Sequence, residues 1–393
     1  MVTRLIPPSK YKSPVAIPPG ETIKDILISR NMTQGELATR MGRPNQEISY
    51  LINGKRAITP VTAKQLEYVL GIKSSFWLNI ERDYQETLAR LEEETRLTSH
   101  ASHVKNFPYS EMVKLGLVEP TRKPELKAEN LLNFFRVADF NALENHLHLR
   151  VGASLFRRSD KFSLSPTKLA IWLRMGEIEF DHLKLKPFNP ARFKKQLPDI
   201  RSLTLVEPEH SLPELKRICA ESGVALLCVP ELKGLPVWAI TRLLGKNPLI
   251  QLSFRYKTID HFWFSLFHEI GHVLLHKKGD FFIDFEQNEK ADNNPDDEAN
   301  SFASDVLIPP EQYRKLVSNK QFTAKIIQDF AAEIDIPPGI VVGRLQHDGL
   351  VRFNYFNDLK IHFQAQHPQI KTPFQQPTPH PAPRQAIGGP GEE

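Results

Sequence analysis

The sequence predicts a multidomain, mainly α-helical protein with a small β-sheet in its C-terminal part. Three observations support this class. Apolar residues recur at helical spacing over most of the chain. Two short runs with a strand pattern, VALLCV and LIQLSF, stand shortly before one strongly apolar helix. A length of 393 residues, 40% of them apolar, is enough for two or three domains, each with its own core.

The first element is a group of four short helices between residues 21 and 71. Thr33 and Thr59 stand at predicted helix starts, where a hydroxyl side chain can cap the first backbone N–H groups. The third helix begins near Asn45. Short helices in this order predict an all-α helix-turn-helix domain over residues 1–75, whose third helix would enter the major groove of DNA. The predicted core consists of Leu37, Ala38, Ile48, Leu51, Ile52, Leu66 and Val69.

The charge distribution supports DNA binding by this segment. Residues 1–75 contain eleven Lys or Arg and five Asp or Glu, a net charge of +6, whereas the whole chain carries only +5. Positive charge gathered at one end is typical of a surface that meets phosphates. A helical protein-interaction domain is the alternative, because a fold does not fix a function. The side chains predicted to read base edges are Asn45, Gln46, Glu47, Ser49 and Tyr50. The side chains predicted to hold phosphates are Arg43, Lys55 and Arg56.

This segment also resembles a known family. The run RMGRPNQEISYLINGKRAITPVTAKQLE, followed by FWLNIERDY, is similar to the HigA-type antitoxin branch of the Xre-like helix-turn-helix domains. The resemblance implies binding to double-stranded operator DNA, repression of the protein's own operon and formation of a homodimer.

A helical connector is predicted over residues 76–205. It starts with a helix that runs from Phe76 to about Glu94, and the later turns of this helix are mostly charged. Four further segments carry apolar residues at helical spacing. No motif in this region indicates a chemistry, and we expect the connector to pack against the C-terminal domain.

The most informative element is a strongly apolar helix predicted over residues 259–278. His268, Glu269 and His272 follow the order H-E-x-x-H within it, and helical residues four apart share a face. Two imidazoles on one face can bind a zinc ion at about 2.0–2.1 Å, with Glu269 beside them as the general base. The pattern therefore predicts a zinc hydrolase. The alternative is a pair of histidines that only form hydrogen bonds in a core.

A third ligand is expected on a second helix within the segment PDDEANSFASDVLIPP. Glu298 lies one residue before the apolar face of that helix, from which its carboxylate could complete a His2Glu site with water in the fourth position. Lys278 stands where a metzincin has its third histidine, so that pattern is excluded. An exposed carboxylate in the first helical turn is the alternative for Glu298.

The two helices together resemble a second family. FSLFHEIGHVLLH followed by DxEANSFASDVLIP is similar to the ImmA/IrrE metallopeptidases over roughly residues 210–350. The resemblance implies an α+β, zincin-like domain, predicted here over residues 206–363, and a catalytic role for Glu269. It implies zinc ligation by His268, His272 and Glu298. One departure is Asp296, where many members carry Glu. A protein substrate, such as a repressor or an antitoxin, is also implied.

Two details of the predicted peptidase domain concern substrate binding. LIQLSF is predicted as the edge strand of the small sheet, where an extended substrate could add as a further strand. A tetrahedral intermediate also needs a hydrogen-bond donor besides the metal, and His261, His276 and Tyr256 stay open as candidates.

Composition restricts the remaining features. The chain has no run of eighteen apolar residues, no signal peptide and no lipidation motif, so a cytoplasmic location is expected. Cys219 and Cys228 are the only cysteines, which favours reduced core thiols. Residues 364–393 are rich in Pro and Gln, and they are predicted to be a disordered tail.

Two functions follow from these patterns. The first is a DNA-binding transcriptional regulator with a zinc metallopeptidase domain that cleaves a repressor or antitoxin protein. The alternative is an antitoxin or repressor whose peptidase-like domain is a non-catalytic sensor or scaffold for partners. Glu269 favours the first, because a purely structural metal site needs no base.

Overall fold

The chain divides into two compact units of very different size. In this computed structural model the described residues are 13–145, 165–253, 258–276, 282–285, 295–318 and 320–362. The first unit contains the residues up to 105 together with 121–129, and the second contains the remainder. The predicted connector is therefore shared between the units. The predicted disordered tail lies outside the described residues.

The first unit is built from short helices around one apolar core. The helices are α1 (Pro19–Ser29), α2 (Gln34–Met41), α3 (Asn45–Ile52), α4 (Pro60–Leu70), α5 (Ser74–Ser99) and α6 (Ala101–Val104). The predicted caps are confirmed, because the Thr33 side chain accepts a hydrogen bond from the Glu36 N–H and Thr59 accepts one from the Thr62 N–H. Six of the seven predicted core residues are fully buried and the seventh, Val69, packs against them.

Helix α5 extends this core with its first two turns. Trp77 is fully buried and its Nε1–H donates to the Ile72 carbonyl oxygen at 3.2 Å. One turn later, the buried Glu81 accepts a hydrogen bond at 3.0 Å from the backbone N–H of Ile58, in the loop before α4. A buried backbone N–H group needs a hydrogen-bond acceptor, so Glu81 fixes that loop against α5.

The second unit contains most of the remaining helices. They are α7 (Tyr109–Lys114), α8 (Pro124–Phe135), whose first half is counted with the first unit, α9 (Pro166–Phe180), α10 (Pro190–Lys195), α11 (Leu197–Ser202), α12 (Pro208–Glu221), α13 (Ile259–Leu275), α14 (Pro295–Leu307), α15 (Pro310–Ser318), α16 (Ala324–Glu333) and α17 (Pro338–His347). The mainly helical class predicted from the sequence is confirmed.

A four-stranded sheet forms the β part of this unit. Its strands are β1 (Ala225–Val229), β2 (Val237–Leu244), β3 (Asn247–Ser253) and β4 (Phe282–Phe285), in the order β1-β3-β2-β4. Strand β3 runs parallel to β1 and antiparallel to β2. The prediction that LIQLSF is an edge strand is therefore wrong. Its residues are buried almost without alternation, which is typical of a central strand.

Helix α9 lies against the sheet and is buried along most of its length. Glu177 accepts hydrogen bonds at 2.9 Å from both Arg174, on the same helix, and Arg242, on β2. All three side chains are at most 9% exposed. Gln251 on β3 also donates to the Trp172 carbonyl oxygen at 2.6 Å. This part of the predicted connector thus packs on the sheet through a buried polar network.

Cys219 and Cys228 are both free and buried, as expected for core thiols. Burial raises the pKa of Cys219 to about 12 and that of Cys228 to about 11. Among the helices of the described part of the chain, none is long and apolar enough to span a bilayer.

Helices α13 and α14 approach each other closely at one glycine. A Cβ atom at Gly271 would lie 3.1 Å from the Cα and 3.3 Å from the Cβ of Ala299, which is tighter than most real contacts. The absence of a side chain at Gly271 therefore lets the two backbones come together beside the H-E-x-x-H residues.

Candidate functional site

The two histidines of the H-E-x-x-H motif lie side by side in the core. His268 and His272 are each 3% exposed, and their Nε2 atoms are 2.9 Å apart. They sit one helical turn apart on α13, so the i, i+4 spacing brings both rings to one point, as the sequence predicts.

The third group at this point is Asp296, from the first turn of α14. Its Oδ1 atom lies 3.5 Å from Nε2 of His272, and the ligand atoms of Asp296, His268 and His272 all lie within 4.8 Å of one another. Asp296 is buried. These three residues form the one group of metal-ligating side chains found among the described residues.

Glu298, the third ligand expected from the sequence, lies elsewhere. Its side chain is 70% exposed, and its Oε2 atom is 3.3 Å from Nε2 of His276. The reason is the rotation of α14. Asp296 lies three residues before Ala299, which faces Gly271, whereas Glu298 is the direct neighbour of Ala299 and points about 100° away from it. The structure therefore corrects the expectation by placing Asp296 with the histidines.

The residues present fit a metal ion. Ligand atoms at 2.0–2.1 Å from a tetrahedral ion are about 3.3 Å apart, close to the 2.9 Å between the two Nε2 atoms and the 3.5 Å between Asp296 and His272. For both Nε2 atoms to bind a cation, the ring protons must be on Nδ1. Nδ1 of His268 is 2.9 Å from Oδ1 of Asn300, which can accept that proton's hydrogen bond. Metal-binding histidines typically have such an outer partner.

The outer partner of His272 is another histidine. Its Nδ1 atom lies 2.9 Å from Nδ1 of His276, whose Nε2 faces the carboxylate of Glu298. When His272 donates from Nδ1, His276 accepts and can in turn donate from Nε2 to Glu298. A series of hydrogen bonds from the Glu298 carboxylate through His276 to His272 thus orients the ring of His272.

Burial keeps both histidines in the form that binds metals. Burial lowers the pKa of His268, although the charge of Asp296 acts in the opposite direction. Burial, and after it the neighbouring His268 and His276, lower the pKa of His272 to about 2. Both imidazoles are therefore neutral at pH 7, with lone pairs available for a cation.

Glu269 follows His268 directly, and its side chain is completely buried. Its carbonyl oxygen accepts a hydrogen bond at 3.4 Å from Thr241 on β2, so α13 is tied to the sheet at the motif itself. Of the three candidates for an oxyanion donor, His276 faces His272 and Glu298, and His261 stacks on Trp238 with ring centroids 5.4 Å apart. Tyr256 lies outside the described residues.

The residues predicted to contact DNA lie on or directly after α3, apart from Arg43, which lies two residues before it. Asn45, Gln46, Tyr50, Lys55 and Arg56 are exposed. Gln46 donates to the Tyr50 hydroxyl at 2.8 Å, while Ser49 accepts a hydrogen bond from the Asn53 side chain. The structure therefore presents most of this set to solvent along one short helix and the turn that follows it.

Three of the residues predicted to contact DNA, Arg43, Glu47 and Arg56, form ion pairs within the unit. Arg43 donates to Gln65 at 2.8 Å and to Glu47 at 3.1 Å, and its side chain is only 18% exposed. Glu47 also pairs with Arg56 at 3.1 Å. Arg43 thus links α3 to α4, whereas Lys55 has no ion pair among the described residues.

Comparisons with known proteins match both the N-terminal helices and the domain that contains the H-E-x-x-H motif. A family model described as helix-turn-helix matches residues 23–77, and one described as the IrrE N-terminal-like domain matches residues 236–345. The uncharacterized HTH-type transcriptional regulator YddM of Escherichia coli (strain K12) is 35% identical over 63 residues, which are 16% of this chain and 67% of that protein.

Two solved structures also match about a fifth of the chain. One is an addiction module antidote protein of a HigA family from Coxiella burnetii, with 27% identity, 21% of this chain and 92% of that chain covered, and a TM-score of 0.20. The other is a putative antidote protein of a plasmid maintenance system from Nostoc punctiforme. It has 32% identity and a TM-score of 0.21, and the match covers 21% of this chain and 91% of that chain.

The fold and the matches define the class of this protein as a helix-turn-helix DNA-binding domain joined to an IrrE-like metallopeptidase-type domain. The helix-turn-helix domain and the IrrE-like domain, which the resemblances of the sequence motifs implied, are confirmed. Through its N-terminal region the chain belongs to the family of HTH-type transcriptional regulators.

Proposed function

We propose that this regulator is also a zinc-dependent peptidase, and that it cleaves a protein such as a repressor or an antitoxin. The observation that carries the proposal is the buried group of His268, His272 and Asp296, with Glu269 adjacent on the same helix. Two neutral imidazoles and one carboxylate are a donor set that suits zinc in a catalytic site.

Each of these residues of the chain would have a separate role in hydrolysis. His268, His272 and Asp296 hold the ion, while Asn300 and His276 fix the two rings. Bound zinc would supply Lewis-acid activation of a water molecule and of the scissile carbonyl. Glu269 accepts the proton of the attacking water and delivers it to the leaving amine nitrogen, so that the proton count balances.

Glu269→Gln is expected to abolish cleavage and to leave metal binding intact. The amide has almost the shape of the carboxylate but cannot accept the proton, and general-base catalysis contributes about 10²–10⁴-fold. The protein should be expressed with the products of its neighbouring genes, and cleavage followed by mass spectrometry. Metal content is measured on the same samples.

Glu311→Gln is the matched control, because Glu311 is exposed in the first turn of α15. It should cleave like the unchanged protein. Equal cleavage by the Glu269→Gln protein would contradict the assignment of the base. A complete lack of cleavage by the unchanged, zinc-loaded protein would favour the non-catalytic scaffold.

For DNA recognition, we propose that α3 reads the operator and that Lys55 holds a phosphate. Lys55 is exposed in the turn after α3, and its backbone N–H donates to the Tyr50 carbonyl oxygen at 2.8 Å, which fixes the turn. The DNA-bound form is proposed to be a homodimer, on the resemblance to HigA-type domains alone.

Lys55→Gln is expected to weaken binding to all DNA sequences by a similar factor. Loss of one phosphate contact should lower the slope of log K against log salt concentration by about 1. Fluorescence anisotropy with labelled operator at several salt concentrations measures this slope. Lys73→Gln, at another exposed lysine of the same unit, is the control. An unchanged slope in the Lys55→Gln protein would place the phosphate contact elsewhere.

A further inference from the structure

A cavity of about 530 Å³ lies in the second unit and is lined by residues of α13, α14, α17 and β2 and of the segments that follow α14 and α17. Its volume is within the range of pockets that enclose ligands, about 300–1,000 Å³. Most of its wall is apolar. The apolar side chains are Trp238, Phe264, Leu307, Ile308, Ile340 and Phe353.

On both helices the cavity lining lies one helical turn from a residue of the metal centre or its hydrogen-bond partner. Ser265 lines it from α13 and lies three residues before His268. Ser304 lines it from α14 and lies four residues after Asn300, the partner of His268. Helical residues three or four apart share a face and are about one turn, 5.4 Å, apart. A substrate polypeptide bound at the metal centre could therefore place the side chain next to its scissile bond in the cavity.

The charged groups in the wall are already balanced by the protein. Asp260 and Lys360 form an ion pair at 2.7 Å, and both side chains are buried. Arg344 pairs with Asp348 at 2.8 Å. A charged ligand group would lose its hydration in this cavity without gaining an opposite charge, which is costly. An uncharged apolar group has no comparable hydration free energy to lose, and the burial of its surface is favourable.

We infer that this cavity is a specificity pocket for one large, uncharged apolar side chain, such as Leu, Met or Phe, next to the scissile bond of the protein substrate. The inference rests on the proposed peptidase function. The pocket determines which peptide bonds are presented to Glu269, and it takes no part in the chemical step.

The inference is tested first by binding, without turnover. Saturation-transfer NMR is recorded for the full-length, zinc-loaded Glu269→Gln protein with a panel of N-acetyl amino-acid amides. The Leu, Met and Phe amides should bind at least about tenfold more tightly than the Asp and Lys amides, as expected for an apolar pocket. Equal binding of charged and apolar amides would overturn the inference.

Two filling variants locate the binding in this cavity. Ser304→Leu introduces an isobutyl group from α14, and Ser265→Leu introduces one from α13, so either variant that folds provides the test. Each should weaken binding of the Phe amide by at least about tenfold. Ser318→Leu, at the exposed end of α15, is the matched control and should change nothing. Unchanged affinity in a folded filling variant would overturn the inference.

Cleavage of a peptide mixture then connects the pocket to the reaction. Sites cut by the zinc-loaded, unchanged protein should carry a large apolar residue beside the scissile bond, and Ser304→Leu should shift the preference towards smaller residues. Cleavage without such a preference would overturn the inference. Absence of cleavage together with selective amide binding would count against the proposed peptidase function, while the selectivity of the cavity would stand on the binding data.

Discussion

Asp296→Ala is expected to remove stoichiometric zinc binding from an otherwise folded protein. Asp296 is the carboxylate that lies 3.5 Å from His272, and its loss leaves two neutral ligands. Loss of outer partners of metal ligands typically costs about 10–100-fold in metal affinity, so the loss of a direct ligand should exceed about 100-fold. Competition with a chromophoric chelator measures the affinity, and circular dichroism confirms the fold.

Glu298→Ala is the matched variant, two residues further along the same helix. Its carboxylate reaches only His276, so its removal should lower zinc affinity by no more than about tenfold. The reverse result, in which Glu298→Ala loses the ion and Asp296→Ala retains it, would restore the assignment expected from the sequence and contradict the structure-based one.

The choice between these two acids shows the limit of prediction from the sequence. The H-E-x-x-H spacing places both histidines without further information, because the geometry within one helix is fixed. The third ligand depends on how α14 is rotated against α13, which is a tertiary property. One signal was available, since Asp296 lies in phase with the small residues Ala299 and Ala303. Glu298 is out of this phase, because it lies directly before Ala299.

The same difference applies to the fold. Features set by residues close in sequence could be predicted, whereas features set by residues far apart could not. Helix starts at Thr33 and Thr59 could be predicted, because a cap involves residues only a few positions apart. The central position of β3 could not be deduced from a local pattern, since it depends on β1 pairing from a distant part of the chain. The polar network around Glu177 was not predicted, because one of its two arginines, Arg242, comes from a strand far along the chain.

Glu177→Ala is expected to destabilise the second unit by about 3–5 kcal/mol, because it leaves Arg174 and Arg242 buried without the carboxylate between them. The free energy of unfolding of this unit is measured by urea denaturation, with tryptophan fluorescence as the probe, since three of the four tryptophans, including the buried Trp172 on α9, belong to this unit. A shift of this size would also show that α9 is an integral part of the unit.

Asp181→Ala is the control for this experiment. Asp181 follows α9 directly and pairs with Arg136 at 3.0 Å, but the two side chains are 47% and 61% exposed. Exposed ion pairs contribute about 0–1 kcal/mol, so the transition should hardly move. Equal shifts for the two variants would mean that burial of the Glu177 network adds no stability.

The backbone contact between Gly271 and Ala299 also bears on how such a centre can evolve. An aspartate is one methylene shorter than a glutamate, and Asp296 reaches the imidazoles because nothing separates the two helices at this point. A methyl group at position 271 would make the neighbouring atoms of Ala299 and Phe302 give way by a few tenths of an ångström. We therefore expect related chains that carry the shorter acid at position 296 also to keep glycine at position 271.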